Sequence, residues 1–293
     1  MWALVALATA SAATVDGAEA AQRKRAAPKG PECPVAGTRL AAFGKALDGA
    51  SFATKDGAIV RLSGVLAPGQ GGESLRPGQG DAAKQALASA LRGGAVSLVE
   101  EGPHDRYGRM VAQVFAGGVW VQGALLKAGQ LRAAPDRVST PCAQRLLAAE
   151  DEARVARAGF WRDGTYAVRT PNQLGKDIGT FQTVEGTVVT ASTNKGRAYI
   201  NFGADYRTDF TATVAPTDMK SFRTARLDVK SLAGKRIRVR GWLEQYNGPE
   251  MEIADPAAIE RLDEPVVAAA PPRAEHRKDA SQTTRKKRKR RTA

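Results

Sequence analysis

The sequence predicts two consecutive barrel modules, an α+β module followed by a mostly β one, with basic segments at either end. Three observations carry that reading. Strand alternation and helical spacing succeed one another in the order strands, helix, strands, helix, helix as far as Trp161. Beyond a connector rich in Thr, Pro, Asn and Gly the pattern becomes short alternating strands. A chain of 293 residues is also long for one small barrel. The expected boundaries are 37–163 for the first module, 164–179 for the connector and 180–263 for the second module.

In the first module, Phe52 to Leu66 reads as short strands around the hairpin signal Lys55-Asp56-Gly57. Leu87 and Leu91 stand four apart with alanines beside them and are followed by Gly93-Gly94, a helix and its stop. Strands are expected at Ala95 to Glu100 and Met110 to Phe115. A short helix follows from Trp120 to Ala128. A longer one runs from Pro141 to Ala158, burying Leu146, Leu147, Ala153 and Ala156, with Pro just inside its start and Gly159 just past its end.

The second module reads as the strands VEGTVVTA, RAYINF, TDFTATV, RIRVRGWLE and MEIA. A helix between Pro216 and Leu232 interrupts them, and Asn247-Gly248 turns the last pair.

The ends differ from the middle. Residues 2–15, WALVALATASAATV, form an apolar run followed by small residues, which suits a secretory signal over residues 1–21 and a basic leader over 22–36. No Lys or Arg precedes the run, so an Ala-rich leader stays open as the alternative. The run is too short to span a bilayer, and no transmembrane segment is expected. Of the formal net charge of +14, the stretch from Arg273 to Ala293 holds +8, ten Lys or Arg against Glu275 and Asp279. Residues 264–293 lack apolar periodicity and are expected to be disordered, a tether to polyanions or a solubilising tail. Cys33 and Cys142 fit a disulfide in an exported protein; two unrelated thiols are the alternative.

Two arginines stand out. Arg61 lies in IVRLSGVLAPG and Arg109 in HDRYGR, and a planar guanidinium offers two parallel donors to two phosphate oxygens. Pairing with surface acids such as Asp48 or Asp105 is the competing explanation.

From Leu47 to Trp161 the chain resembles the staphylococcal nuclease (thermonuclease) family in the order and spacing of separate segments: Asp48-Gly49-Ala50-Ser51, Arg61 to Gly69, Asp105 to Arg109, Leu125 to Gly129, and Glu150 to Trp161. The resemblance implies an OB-type five-stranded barrel with three helices, and a bacterial protein acting on phosphodiesters. It also implies that Arg61 and Arg109 bind phosphate and neutralise charge in the transition state. Tyr107 matches a residue that contacts a terminal phosphate, beside Arg106, while Asp105 fixes the turn. The family's acids are missing. Ala50 and Leu66 occupy the positions of its calcium-binding aspartates, and Gly69 that of the glutamate that activates water. Calcium takes six or more oxygens, so no metal site and no cofactor is expected, and hydrolysis is expected to be weak or lost. Glu73 and Glu101 lie off the motif and read as solvated loop residues. Pro135 and Arg137 stand where the family has base-stacking tyrosines.

From Phe181 to Leu262 the chain resembles the OB-like module that follows the nuclease domain in many bacterial members. Such a barrel would stack bases on Tyr199, Phe202, Tyr206 or Tyr246 beside Arg207 and Arg238, although Phe202, Phe210 and Trp242 fit a core equally by alternation. The expectation is a monomeric, secreted or periplasmic (cell-envelope) protein that binds DNA, RNA or another acidic polymer through its arginines and tail. Two alternatives are an active nuclease with recruited metal ligands and a non-catalytic envelope interaction protein.

Overall fold

The computed structural model describes residues 39–136, 138 and 140–262. The expected signal, leader and basic tail, with Cys33 and Arg137, lie outside them. The first unit comprises β1 (Arg39–Ala46), β2 (Ser51–Thr54), β3 (Ile59–Leu62), β4 (Val65–Leu66), α1 (Gln79–Ala90), β5 (Ala95–Glu100), β6 (Met110–Ala116), β7 (Val119–Trp120), α2 (Val121–Lys127), β8 (Arg132–Ala133) and α3 (Thr140–Val155). Strands run β3-β2-β1-β5-β6, and a parallel pairing of β3 with β6 closes the ring into a five-stranded barrel, with β7 appended to β6.

Closure follows from alternation. Phe52, Val60, Leu62, Leu98, Ala112 and Val114 point inward and are buried together with Leu87, Leu126 and Leu146 of the helices. Of the five strands of the closed barrel, the one that the sequence did not reveal is β1. It is exposed over most of its length and carries an irregularity between Phe43 and Lys45, so no apolar alternation marks it. Ala156, expected in the buried stripe of the last helix, lies beyond α3 and is exposed, because the helix ends at Val155 and Arg157 turns left-handed at φ 50°.

The second unit comprises β9 (Val168–Arg169), β10 (Phe181–Thr187), β11 (Thr190–Asn194), β12 (Arg197–Asn201), β13 (Thr211–Val214), α4 (Met219–Thr224), β14 (Arg236–Trp242), β15 (Glu244–Tyr246), β16 (Gly248–Glu252) and β17 (Ile259–Arg261). It forms two sheets, β17-β14-β10-β9 and β11-β12-β13-β16-β15, around one core that includes Phe202, Phe210, Phe222, Ile237, Val239 and Met251. The connector is not structureless, since its β9 pairs in parallel with β10. Among the described residues no helix is long and apolar enough to cross a membrane.

The two units meet on charge. Arg240 of β14 is fully buried and pairs with Glu150 of α3 and with Glu260. Arg238, on the same face of β14, reaches Asp151 at 3.1 Å and Glu185 at 3.1 Å. Arg132 pairs with Glu73 at 3.0 Å and lies over the rings of Tyr166 and Phe181. The Phe181 N–H donates to Gly71 O at 2.7 Å, fastening the start of β10 to the loop after β4.

Candidate functional site

Arg61 sits in β3 between the inward-facing Val60 and Leu62, so its side chain leaves the opposite face of the barrel wall. Register places Ser51 of β2 directly across from it on one side and Val111 of β6 on the other. Arg109 lies two positions before Val111, which alternation puts on the same face. The two cations that the sequence singled out are therefore neighbours.

Each is held differently. Arg61 donates from Nη2 to Val65 O at 2.9 Å, while its Nη1 is buried without a hydrogen-bond partner among the described residues. The Ser51 hydroxyl, on the facing strand, is likewise buried and unpartnered. Burial lowers the Arg61 pKa from the usual arginine value, and the Arg109 charge pushes it the same way, with Asp48 and Asp105 opposing. A guanidinium stays protonated through such a shift, so the site keeps a poorly solvated cation.

Arg109 ends a turn built by Asp105. One Asp105 oxygen accepts from Tyr107 N at 2.9 Å and Arg109 N at 3.0 Å, and the other accepts from Arg109 Nε at 2.7 Å. Gly108, at φ 73°, supplies the left-handed residue that the turn requires. Asp105 thus fixes the turn, as expected, and also orients Arg109 through Nε, leaving the far edge of that guanidinium for another acceptor. Surface-acid pairing therefore describes Arg109 in part, and among the described residues Arg61 has no ion pair. Tyr107 is 66% exposed, with Arg106 and Arg109 at 4.9 and 5.1 Å from its ring.

At the three positions expected to correspond to the family's acids, two side chains are packed and the third is an exposed left-handed glycine. Ala50 is fully buried, Leu66 is buried in the β4–β8 ribbon, and Gly69 adopts φ 82° with Leu75 in contact distance of any added Cβ. Nearby carboxylates are already engaged. Asp48 caps Ala50 N at 2.7 Å, and Glu101 accepts from Gln113 at 3.0 Å and from Ser63. Glu73 is tied to Arg132. The solvated-loop expectation for Glu73 and Glu101 is thereby corrected: both neutralise or hydrogen-bond inward-facing groups. Among the described residues no cluster of three or more His, Cys, Asp or Glu could hold a metal ion. The donor set does not suit calcium.

Residues 59–163 match the family model of the staphylococcal nuclease homologue. This stretch is a staphylococcal nuclease homologue domain. The matched range includes Arg61 and Arg109 and begins after Asp48 and Ser51. The chain is also similar to an uncharacterized protein of Bacillus anthracis, 37% identical over 78 residues, or 26% of this chain. The chain spans 36% of that relative's length.

Outside the nuclease-homologue domain the expected aromatic face is rearranged. Register sets Tyr199 opposite Thr213, Thr213 opposite Glu252, and Glu250 opposite Glu244, with Tyr246 two residues further along the same face. Arg207 lies instead in the loop before β13, beside Tyr206. Phe202 is core, Arg238 belongs to the buried charge cluster, and Trp242 is 46% exposed against Phe181 rather than core. The tyrosines thus share their sheet face with three glutamates and one arginine, Arg197, which pairs with Glu252 at 2.6 Å.

The expected partner of Cys142, Cys33, lies outside the described residues; Cys142 is buried at the start of α3 and is disulfide-bonded.

Sequence reasoning missed Ser51, Arg132 and Arg240. Glu150 carried a usable signal, since an acid beside Ala149 and between Leu146 and Ala153 stands on an apolar stripe and calls for a buried cation.

Proposed function

We propose that the nuclease-homologue domain binds phosphodiesters or other phosphate polyanions through Arg61 and Arg109, and that hydrolysis is weak or lost. The observation that carries this reading is the pair of buried, unpartnered polar atoms, Arg61 Nη1 and Ser51 Oγ, facing each other across β2 and β3 beside Arg109. Buried donors without acceptors are costly, and a phosphate oxygen satisfies both. The acids that would hold a metal and activate water have no replacement in place, and losing a positioned base alone costs about 10²- to 10⁴-fold. The basic run at residues 285–291 adds sequence-independent attraction, and the apolar run at residues 2–15 supports an exported, bacterial envelope protein. In this reading the second unit is a separate OB-like module that works as a monomer with the first.

The test uses the full chain with 5′-phosphorylated single-stranded DNA and RNA, titrated at several salt concentrations, and a cleavage assay with calcium, magnesium and manganese. The expected results are binding weakened by Arg61→Ala and by Arg109→Ala, each reducing the salt slope by about one, and no cleavage above background. Robust cleavage abolished by Arg61→Ala would establish an active nuclease and overturn the reading.

A further inference from the structure

The contacts that aim Arg61 continue into the second unit. Its Nη2 donates to Val65 O, and Val65 lies in β4, which pairs with β8 through Val65 with Ala133 and Leu66 with Arg132. A ribbon of two-residue strands is marginal unless something else holds it. Ala133 is held from both sides: its N–H donates to Glu150 Oε1 at 2.7 Å, and its carbonyl accepts from Arg240 Nη1 at 3.3 Å. Arg240 comes from β14 of the second unit, is fully buried, and also binds Glu150 and Glu260. The adjacent β8 residue, Arg132, lies over Phe181 of β10.

We propose that Arg240 is a positioning residue for Arg61, so that the second unit sets the phosphate affinity of the first without touching phosphate. Arg240 fixes Ala133, Ala133 fixes the register of β4, and β4 presents the carbonyl that orients the Arg61 guanidinium. An apolar junction would hold two units together without gripping one backbone carbonyl. A guanidinium, with five donors in a planar fork, reaches Glu150, Ala133 O and Glu260 at once; a lysine ammonium keeps the charge but cannot span all three. This inference rests on the reading of Arg61 as a phosphate ligand.

The experiment is a double-mutant cycle on the full chain, with a labelled 5′-phosphorylated oligothymidylate at ~0.3 M salt, where the tail contributes least. Wild type, Arg61→Ala, Arg240→Lys and the double variant are compared. Arg240→Lys is expected to weaken binding on the order of tenfold in the Arg61 background and less than about twofold once Arg61 is alanine. Equal losses in both backgrounds, or no loss from Arg240→Lys, would show a merely structural interface and overturn the proposal. Binding unaffected by Arg61→Ala would instead overturn the functional reading on which it rests. Should Arg240→Lys give no cooperative thermal transition, Glu260→Gln replaces it in the same cycle, since it loosens Arg240 while leaving the Glu150 pair intact; the same coupling is then required, and additive losses count against the proposal.

Discussion

Ser51 and Arg61 stand directly opposite each other in the β2–β3 ladder, and each buries a polar atom that no group among the described residues satisfies. The pair gives stability and function opposite signs. Removing a buried, unpartnered hydroxyl eliminates its desolvation cost, so Ser51→Ala is expected to stabilise the fold by up to about 1 kcal/mol, read by thermal or urea unfolding. Under the proposed function the same change removes one donor to a phosphate oxygen, and it is expected to weaken oligonucleotide binding several-fold. A destabilised variant with unchanged affinity would place the hydroxyl in a purely structural role.

Glu150 and Arg240 are both almost completely buried, at 2% and 0% of side-chain exposure. Glu150 and Glu260 raise the Arg240 pKa well above the usual arginine value despite its burial. Deleting one partner of such a pair strands the other charge away from water. Arg240→Met is expected to cost about 3–5 kcal/mol, measured by denaturant unfolding. Arg240→Met combined with Glu150→Leu is expected to recover most of the loss, because the almost completely buried carboxylate leaves with its partner while Glu260 keeps Arg238 at 3.4 Å.

How much of this was legible in the sequence depended on which contacts were local. The strands other than β1 that close the barrel and the three helices of the first unit rest on alternation, stop signals and spacing within a few residues, and these were readable; the Asp105 turn came with the family resemblance. The arginines were readable because the motif around each is contiguous. The role of the alternating arginines of β14 was not: Arg238 and Arg240 lie two apart, as on any solvent-facing strand, and only the approach of α3 turns that face inward. Ser51 was invisible for the same reason, since its burial depends on register with Arg61 and not on its neighbours in sequence.

Placing acids at Ala50, Leu66 and Gly69 tests the proposal that this domain lacks a metal cage. Two of the positions are closed, since Ala50 is fully buried and Leu66 is packed in the β4–β8 ribbon; Gly69 is exposed but left-handed, with a Leu75 methyl 3.0 Å from where a Cβ would stand. Gly69→Glu alone is expected to cost about 1–2 kcal/mol, because a non-glycine residue resists that backbone conformation. Ala50→Asp with Leu66→Asp is expected to destabilise further and to give no calcium-dependent rise in melting temperature. A clear calcium-dependent rise would show that the cage survives and needs only its ligands.

Asp105 sets an acid limit on the site. Burial raises its carboxyl pKa, but the hydrogen bonds from Arg109 and Tyr107, with the Arg109 charge, outweigh that and hold it below the usual carboxylate value. A depressed folded-state pKa means that the unfolded chain binds the proton more tightly. The stabilisation from Asp105 is therefore fully present above the unfolded value of about 3.9 and is lost as pH falls through the folded one. Asp105→Asn keeps an oxygen able to accept from Tyr107 N and Arg109 N but cannot pair with Arg109 Nε as an anion. The variant is expected to be less stable than wild type at neutral pH and to converge on it as pH falls through the depressed folded-state value of Asp105, in melting curves taken from neutral to acid pH. Parallel curves at every pH would mean that the ion pair contributes nothing and that the turn alone positions Arg109.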